Sequence, residues 1–314
     1  METVTLGTSS LGVSRISYGC WRIAGTWESA EVTPEREAAG RLAIMTAYEA
    51  GINFFDNADV YCAGEAERIL GQVLKKVSGM RERVVIATKC GIRRTGDPQP
   101  ESPYRYDFSA GHIVWSCEQS LKRLGIDHID LYLLHRPDYL CDPEEVANAF
   151  TRLKKAGKAR EFGVSNFRPS QVTMLQKACP TPLIVNQVEI SLAKLDCFHD
   201  GTLDQCLTEK ITPMAWSPLG AGRLGTNDPI DLRDPDHARR IHMREALDLV
   251  ARERGSTRSV VALAWLLRHP SKMVPILGST DPKRIQEMVR AVDLELSREE
   301  WYRLLEAALG HRLA

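Results

Sequence analysis

Tyr61, Lys89, His135 and Asp56 are the residues of this chain whose types, taken together, could deliver a proton to a substrate. A phenol, an ammonium, an imidazole and a carboxylate make a proton donor with the partners needed to tune it. Their spacing carries the argument. Asp56 follows Ile52-Asn53-Phe54-Phe55 and opens Asp56-Asn57-Ala58-Asp59-Val60-Tyr61; Lys89 follows Val84-Val85-Ile86-Ala87-Thr88; His135 follows Ile129-Asp130-Leu131-Tyr132-Leu133-Leu134. Short, nearly continuous apolar runs of this kind are strands buried on both faces, as a parallel sheet requires. A titratable residue at the carboxyl end of each strand is where a closed α/β barrel carries its chemistry. Taken singly, each has a plainer reading: a packed tyrosine, a solvated lysine, a rim or core histidine.

The elements that must position these residues alternate along the chain. After an opening hairpin (Val4-Thr5-Leu6-Gly7 and Leu11-Gly12-Val13), strands are expected at 16–19, 52–55, 84–88, 129–134, 160–164, 183–186, 211–216 and 273–277. Helices are expected at 34–51, 65–76, 110–124, 143–156, 169–178, 202–209, 241–254, 260–267 and 282–291. Asp142 and Pro143 read as an N-cap and a first helical residue. Strand–helix alternation implies parallel pairing with right-handed crossovers. The expectation is one α/β domain over residues 1–314, a (β/α)8 TIM barrel with a short N-terminal hairpin and an extra C-terminal helix at 298–309. Two long loops, 91–109 and 217–240, interrupt the alternation.

Composition narrows the function classes. Lys plus Arg and Asp plus Glu are 41 each, so the formal net charge is zero, which argues against nucleic acid or an anionic membrane as the main partner. No apolar run approaches the roughly 20 residues of a membrane span. The opening Met-Glu-Thr-Val-Thr-Leu lacks the features of a signal peptide. The eight cysteines are scattered, without a Cys-x-x-Cys pair, which fits reduced thiols in the cytoplasm. The histidines show neither H-x-H nor H-E-x-x-H, so no metal site is expected.

From about residue 3 to 291 the chain resembles the aldo-keto reductases, with a closing stretch similar to bacterial oxidoreductases of that family. The resemblance rests on Gly51-Ile52-Asn53-Phe54-Phe55-Asp56 with Ala58 and Tyr61, on Gly163-Val164-Ser165-Asn166-Phe167 with Asn186-Gln187, and on Pro275-Ile276-Leu277-Gly278-Ser279 with Arg284 and Glu287. It implies an oxidoreductase that reduces an aldehyde or ketone with NADPH, NADH being the second choice. Tyr61 would be the general acid, Lys89 the group that lowers its pKa, Asp56 the support of Lys89, and His135 the group orienting the carbonyl.

The resemblance also implies a cofactor site. Ser165, Asn166 and Gln187 would hold the nicotinamide amide and Trp216 would stack on its ring. Ser217, Leu219, Gly220 and Gly222 would approach the pyrophosphate, while Gly278, Ser279, Thr280, Arg284 and Glu287 form the adenosine phosphate end. Trp21, Trp27 and the two long loops would meet the substrate, and their aromatic content points to an apolar or aromatic carbonyl. Three departures stand out: Cys62 where the family commonly has glycine, Gly278 where it often has lysine, and Met288 where it often has asparagine. Gly220-Ala221-Gly222-Arg223-Leu224-Gly225 satisfies G-x-G-x-x-G, but turn residues follow it rather than a helix, so it reads as a phosphate-covering loop. The basic stretch 239–244 reads as solvated surface at the start of a helix. The expected partner is a small carbonyl compound, met by a monomer. The rival reading is a cofactor-binding regulatory subunit of a partner protein, with little turnover.

Overall fold

The computed structural model describes residues 1–231, 233 and 235–313. The chain opens with the hairpin β1 (Thr3–Thr5) and β2 (Gly12–Ser14), paired antiparallel. There follow β3 (Ser17–Gly19), α1 (Pro34–Glu49), β4 (Phe54–Asp56), α2 (Glu65–Lys76), β5 (Val85–Cys90), β6 (Ile92–Arg93), β7 (Arg105–Tyr106), α3 (Ala110–Leu124), β8 (Ile129–Leu134) and α4 (Pro143–Lys155). The second half adds β9 (Ala159–Ser165), α5 (Pro169–Ala178), β10 (Leu183–Glu189), α6 (Thr202–Glu209), β11 (Thr212–Trp216), α7 (His237–Glu253), α8 (Arg258–Leu267), β12 (Val274–Leu277), α9 (Pro282–Met288) and α10 (Arg298–Leu309). Among the described residues β3, β4, β5, β8, β9, β10, β11 and β12 close into a parallel barrel in sequence order. This is the (β/α)8 barrel expected from the alternation. No helix of the described residues is long and apolar enough to cross a membrane.

One end of the barrel is closed. Leu6 and Val13 of the opening hairpin pack into one buried cluster with Phe54, Ala87, Leu131, Leu133, Ile184, Val185 and Met214. Gly7 makes the close approach possible, because a Cβ there would stand 2.7 Å from the Ile184 carbonyl oxygen, and its N–H donates to Thr212 Oγ1 at 2.8 Å. With the amino ends of the strands plugged, the carboxyl ends are left as the face where polar side chains can meet a ligand.

The helices cap as the sequence reading requires. Asp142 Oδ1 accepts from the Glu144 N–H at 2.9 Å with Pro143 first in α4, and Gly51, after α1, sits at φ +90°. α10 starts on a capping box of Ser297 and Glu300, and Glu300 also receives both the Nε and Nη2 of Arg254. Trp265 and Trp301 stack at 4.9 Å and each indole N–H donates to the other's carbonyl, fixing the C-terminal helix to α8.

Several element ends shift by a few residues, among them β10, which runs on to Glu189, and α9, which stops at Met288, and two differences go further. α7 begins at His237 instead of about 241, so the basic stretch 239–244 lies within a helix; Arg239 donates to the Ala308 carbonyl and Arg244 to that of Asp228. The 91–109 loop contains the small antiparallel pair β6–β7, anchored by Arg93 to Asp97 and Asp107. Two-residue strands give no periodicity to read.

Candidate active site

Sheet register brings the proton-handling residues together. Asp56 ends β4, opposite Ala87 of β5, and Lys89 lies one alternation further along β5, opposite Leu133 of β8. Beyond β4 the ladder continues onto β5, with the Asn57 N–H donating to the Ala87 carbonyl at 2.8 Å and the Asp59 N–H to that of Lys89 at 3.1 Å. That extension delivers the chain to the tight turn Tyr61–Gly64, where Tyr61 swings over the barrel mouth. His135 follows β8 directly, its N–H donating to the Cys90 carbonyl at 2.9 Å.

The side chains close a hydrogen-bonded set. Lys89 Nζ donates to Asp56 Oδ2 at 2.8 Å, to the Asn57 carbonyl at 2.7 Å and to the Tyr61 hydroxyl oxygen at 3.1 Å. All three ammonium protons are thus engaged. Because the Tyr61 oxygen accepts from Lys89, its own proton is free to point elsewhere. Asp56 Oδ1 accepts from Gln187 Nε2 at 2.8 Å, so both carboxylate oxygens are taken. Lys89 is wholly buried, and its charge survives there because it is paired and fully bonded.

Electrostatics separate the roles. Burial disfavours the Lys89 ammonium, but the charge of Asp56 and the contact with Tyr61 outweigh it and hold the lysine above its usual range. Burial pushes the Tyr61 phenol up, and the Lys89 ammonium pulls it down by less. The sequence expectation that Lys89 lowers this pKa is therefore right in the direction of its effect, but the net position of the phenol lies above the ordinary value of 10.0. Burial, then Lys89 and Arg136, drive His135 well below its ordinary range, so its imidazole is neutral at physiological pH. Its Nδ1 is buried without a partner, which leaves Nε2 as the nitrogen available to a ligand. Tyr61 and His135 meet edge to face with ring centroids 5.7 Å apart.

Asp56, Tyr61 and His135 line a cavity of about 430 Å³, together with Trp21, Trp27, Asn166, Gln187 and Trp216, while Lys89 lies behind them. The Trp216 indole N–H donates to Asn166 Oδ1 at 2.9 Å, and Asn166 Nδ2 donates to Ser165 Oγ at 2.8 Å, so the ring is held by the neighbouring strands. Trp21, Ser217 and Ile276 also line a second cavity of about 230 Å³, which runs past Leu219 and Gly222 to Gly278, Ser279, Arg284, Glu287 and Met288. The expected cofactor residues therefore line two adjoining cavities that share Trp21, Ser217 and Ile276, except Gly220 and Thr280, which line neither. Gly220-Ala221-Gly222 forms consecutive turns with positive φ and no helix opens on it, as the sequence reading requires.

The cleft fits an elongated phosphate-bearing cofactor. A Cβ at Gly278 would stand 2.6 Å from Trp21 Nε1, so the indole covers the place a lysine side chain would leave from. Glu287 is held by the Thr257 hydroxyl, which donates to Oε1, and Gln187 Oε1 has no hydrogen-bond partner among the described residues. Sequence reasoning placed the 91–109 loop at the substrate without singling out its Arg94 and Tyr104, and it missed Arg136 on the same cavity wall. Arg136 is the residue after His135, and the other two lie in the long 91–109 loop, so position alone could have flagged them.

The Cys62 departure has a local consequence. Its backbone is left-handed, φ 48° and ψ 47°, where glycine is at no disadvantage and other residues lose roughly 1–2 kcal/mol. The thiol itself is buried in the apolar cluster around α2. At an ordinary buried position alanine outlasts glycine; here Cys62→Gly is expected to be at least as stable as Cys62→Ala in denaturant titrations. A markedly less stable glycine variant would show that the turn carries no backbone strain.

Comparison with known proteins gives three findings. The sequence profile of the Aldo/keto reductase family matches residues 15–308. The chain is 41% identical over 314 residues to a 6-dehydroglucose reductase of Novosphingobium aromaticivorans, covering 98% of this chain and 96% of that protein, and 39% identical to one of Agrobacterium fabrum, covering 100% of both. In structure it is similar to the glycerol dehydrogenase of Gluconobacter oxydans, with a TM-score of 0.86 at 25% identity over 99% of this chain and 96% of that one.

Proposed function

The chain belongs to the aldo/keto reductase family and is an NAD(P)H-dependent oxidoreductase acting on carbonyl compounds, and from that premise we propose that it reduces an aldehyde to an alcohol with NADPH, Tyr61 giving the proton. The observation that carries this reading is the Lys89 ammonium, fully buried and shared between Asp56 and the Tyr61 oxygen. When bound, a nicotinamide cofactor would supply the hydride for the carbonyl carbon and take up the oxidation. Tyr61 gives its proton to the developing alkoxide, and Lys89 stabilises the phenolate left behind. Neutral His135 orients the carbonyl oxygen through Nε2. Asp56 keeps Lys89 charged and in place, and Trp216 offers its face to the nicotinamide. Ser165, Asn166 and Gln187 would hold the carboxamide, with Ser217, Leu219 and Gly222 at the pyrophosphate. The relatives named for 6-dehydroglucose make an oxygen-rich aldehyde the class to test first. NADPH consumption with a panel of aldehydes, 6-dehydroglucose included, tests the reading; cofactor binding without turnover of any member overturns it.

Preference for NADPH is proposed to rest on Arg284, which lines the second cavity beside Ser279 and, among the described residues, has only a 3.9 Å ion-pair contact with Asp281. Arg284→Ala is expected to weaken NADPH by about 10- to 150-fold, the range of one charged hydrogen bond of roughly 1.5–3 kcal/mol. NADH, which lacks the 2′-phosphate, should lose far less. Fluorescence titration of both cofactors measures this without turnover, and equal losses would assign Arg284 to adenine stacking or loop structure.

A further inference from the structure

The wall of the cavity beside Tyr61 and His135 carries charge that no described residue neutralises. Its acidic member is Asp56, whose two oxygens are already taken by Lys89 and Gln187. Its cationic members are Arg94 and Arg136. Arg136 makes no hydrogen bond or ion pair with the described residues; its guanidinium lies over the Trp216 ring, 5.5 Å from the centroid. Arg94 spends one Nη2 contact on the Val60 carbonyl at 3.0 Å and has no carboxylate partner among the described residues. The adjacent Arg93 is the contrast, with Asp97 at 2.7 Å and Asp107 at 3.0 Å. A guanidinium has five N–H donors in a fork matched to carboxylate and phosphate oxygens. Here two of them, both partly buried, line the same cavity as Tyr104, and the charge of each acts on that phenol. An apolar or aromatic substrate would cover these cations without giving them a partner, at a desolvation cost.

We infer that the carbonyl substrate carries an anionic oxygen group, a carboxylate or a phosphate, received by Arg94 and Arg136 while its aldehyde meets Tyr61 and His135. This rests on the reductase reading and names the substrate class within it. A neutral polyol would also accept hydrogen bonds from the two arginines, but it would leave their charge uncompensated. Each side chain adds a separate contact, so both are specificity determinants.

Steady-state reduction with NADPH of matched pairs tests it: succinic semialdehyde against butanal for a carboxylate, glyceraldehyde 3-phosphate against glyceraldehyde for a phosphate. In the wild-type protein the anionic member of at least one pair should be preferred in kcat/KM by about 10-fold or more at low salt. The pair that shows it identifies the group. The preference should shrink as KCl is raised, since partly exposed charges are screened. Arg136→Gln and Arg94→Gln should each cut the ratio about 5-fold or more, chiefly through KM, with partial recovery in the lysine variants. Salt dependence of the wild-type ratio is informative even if a variant does not fold. Neutral members reduced as well as anionic ones, or a preference indifferent to salt and to both substitutions, would overturn the inference and leave the reductase standing. No turnover of any aldehyde would overturn the reductase reading, and the inference with it.

Discussion

Tyr61→Phe is expected to lower carbonyl reduction by at least about 10²-fold, within the range that a positioned general acid contributes. The substitution removes one hydroxyl and keeps the ring that packs edge to face against His135 and Trp27. Cofactor affinity should change little, because Tyr61 does not line the cavity that holds Ser279, Arg284 and Glu287. The loss should appear in kcat, since the proton is transferred only in the transition state. Lys89 would lose one of its three acceptors and keep the other two, Asp56 Oδ2 and the Asn57 carbonyl, so the barrel should remain folded. Near wild-type turnover in Tyr61→Phe would remove Tyr61 from the role of acid, and His135 would then be the remaining candidate.

How much of this was legible in the chain depends on which physical signal each feature leaves. Strands buried on both faces, such as Ile129–Leu134, write their burial into an unbroken apolar run, and the helices between them carry caps that can be read. The candidate acid and its partners were legible for the same reason: each sits at or just beyond the end of such a strand. The register that puts Lys89 opposite Leu133 and within reach of Asp56 is a property of the closed barrel, and no local signal states it. Net pKa values were not legible, because they depend on how deeply Tyr61 is covered by residues such as Trp27 from a distant loop. The charge on the wall of this cavity was not legible for a related reason. Trp21, Trp27 and Tyr104 advertise an aromatic pocket, whereas the absence of a partner for Arg136 is visible only once its surroundings are in place.

Lys89→Met separates charge from shape at the centre of the site, and its expected effects are large in both activity and stability. Methionine keeps the length and apolar body of the side chain but removes the ammonium, leaving the buried Asp56 carboxylate with Gln187 alone. Breaking a buried ion pair from one side costs about 3–5 kcal/mol, so the variant should unfold at lower denaturant concentration. The double variant Lys89→Met/Asp56→Asn removes the stranded charge as well and should recover part of that loss. Activity should not recover, because no cation then stabilises the Tyr61 phenolate as its proton leaves. Reduction at neutral pH is therefore expected to fall by about 10²-fold or more in both variants. The sign of the pH effect follows from the Tyr61 environment. Reduction needs the protonated phenol, whose pKa is raised by burial and lowered by Lys89. In the wild-type protein the high-pH limb of kcat/KM should lie above 10.0, the ordinary value for tyrosine. Without the ammonium the phenol holds its proton to still higher pH, so the limb should move upward while the plateau drops. A plateau that drops with the limb unmoved, in a folded Lys89→Met variant that still binds NADPH and keeps Asp56, would make Lys89 a structural charge whose loss misplaces Tyr61. Recovery of activity together with stability would instead mean that the unpaired Asp56 carboxylate, and not the missing ammonium, had disabled the site.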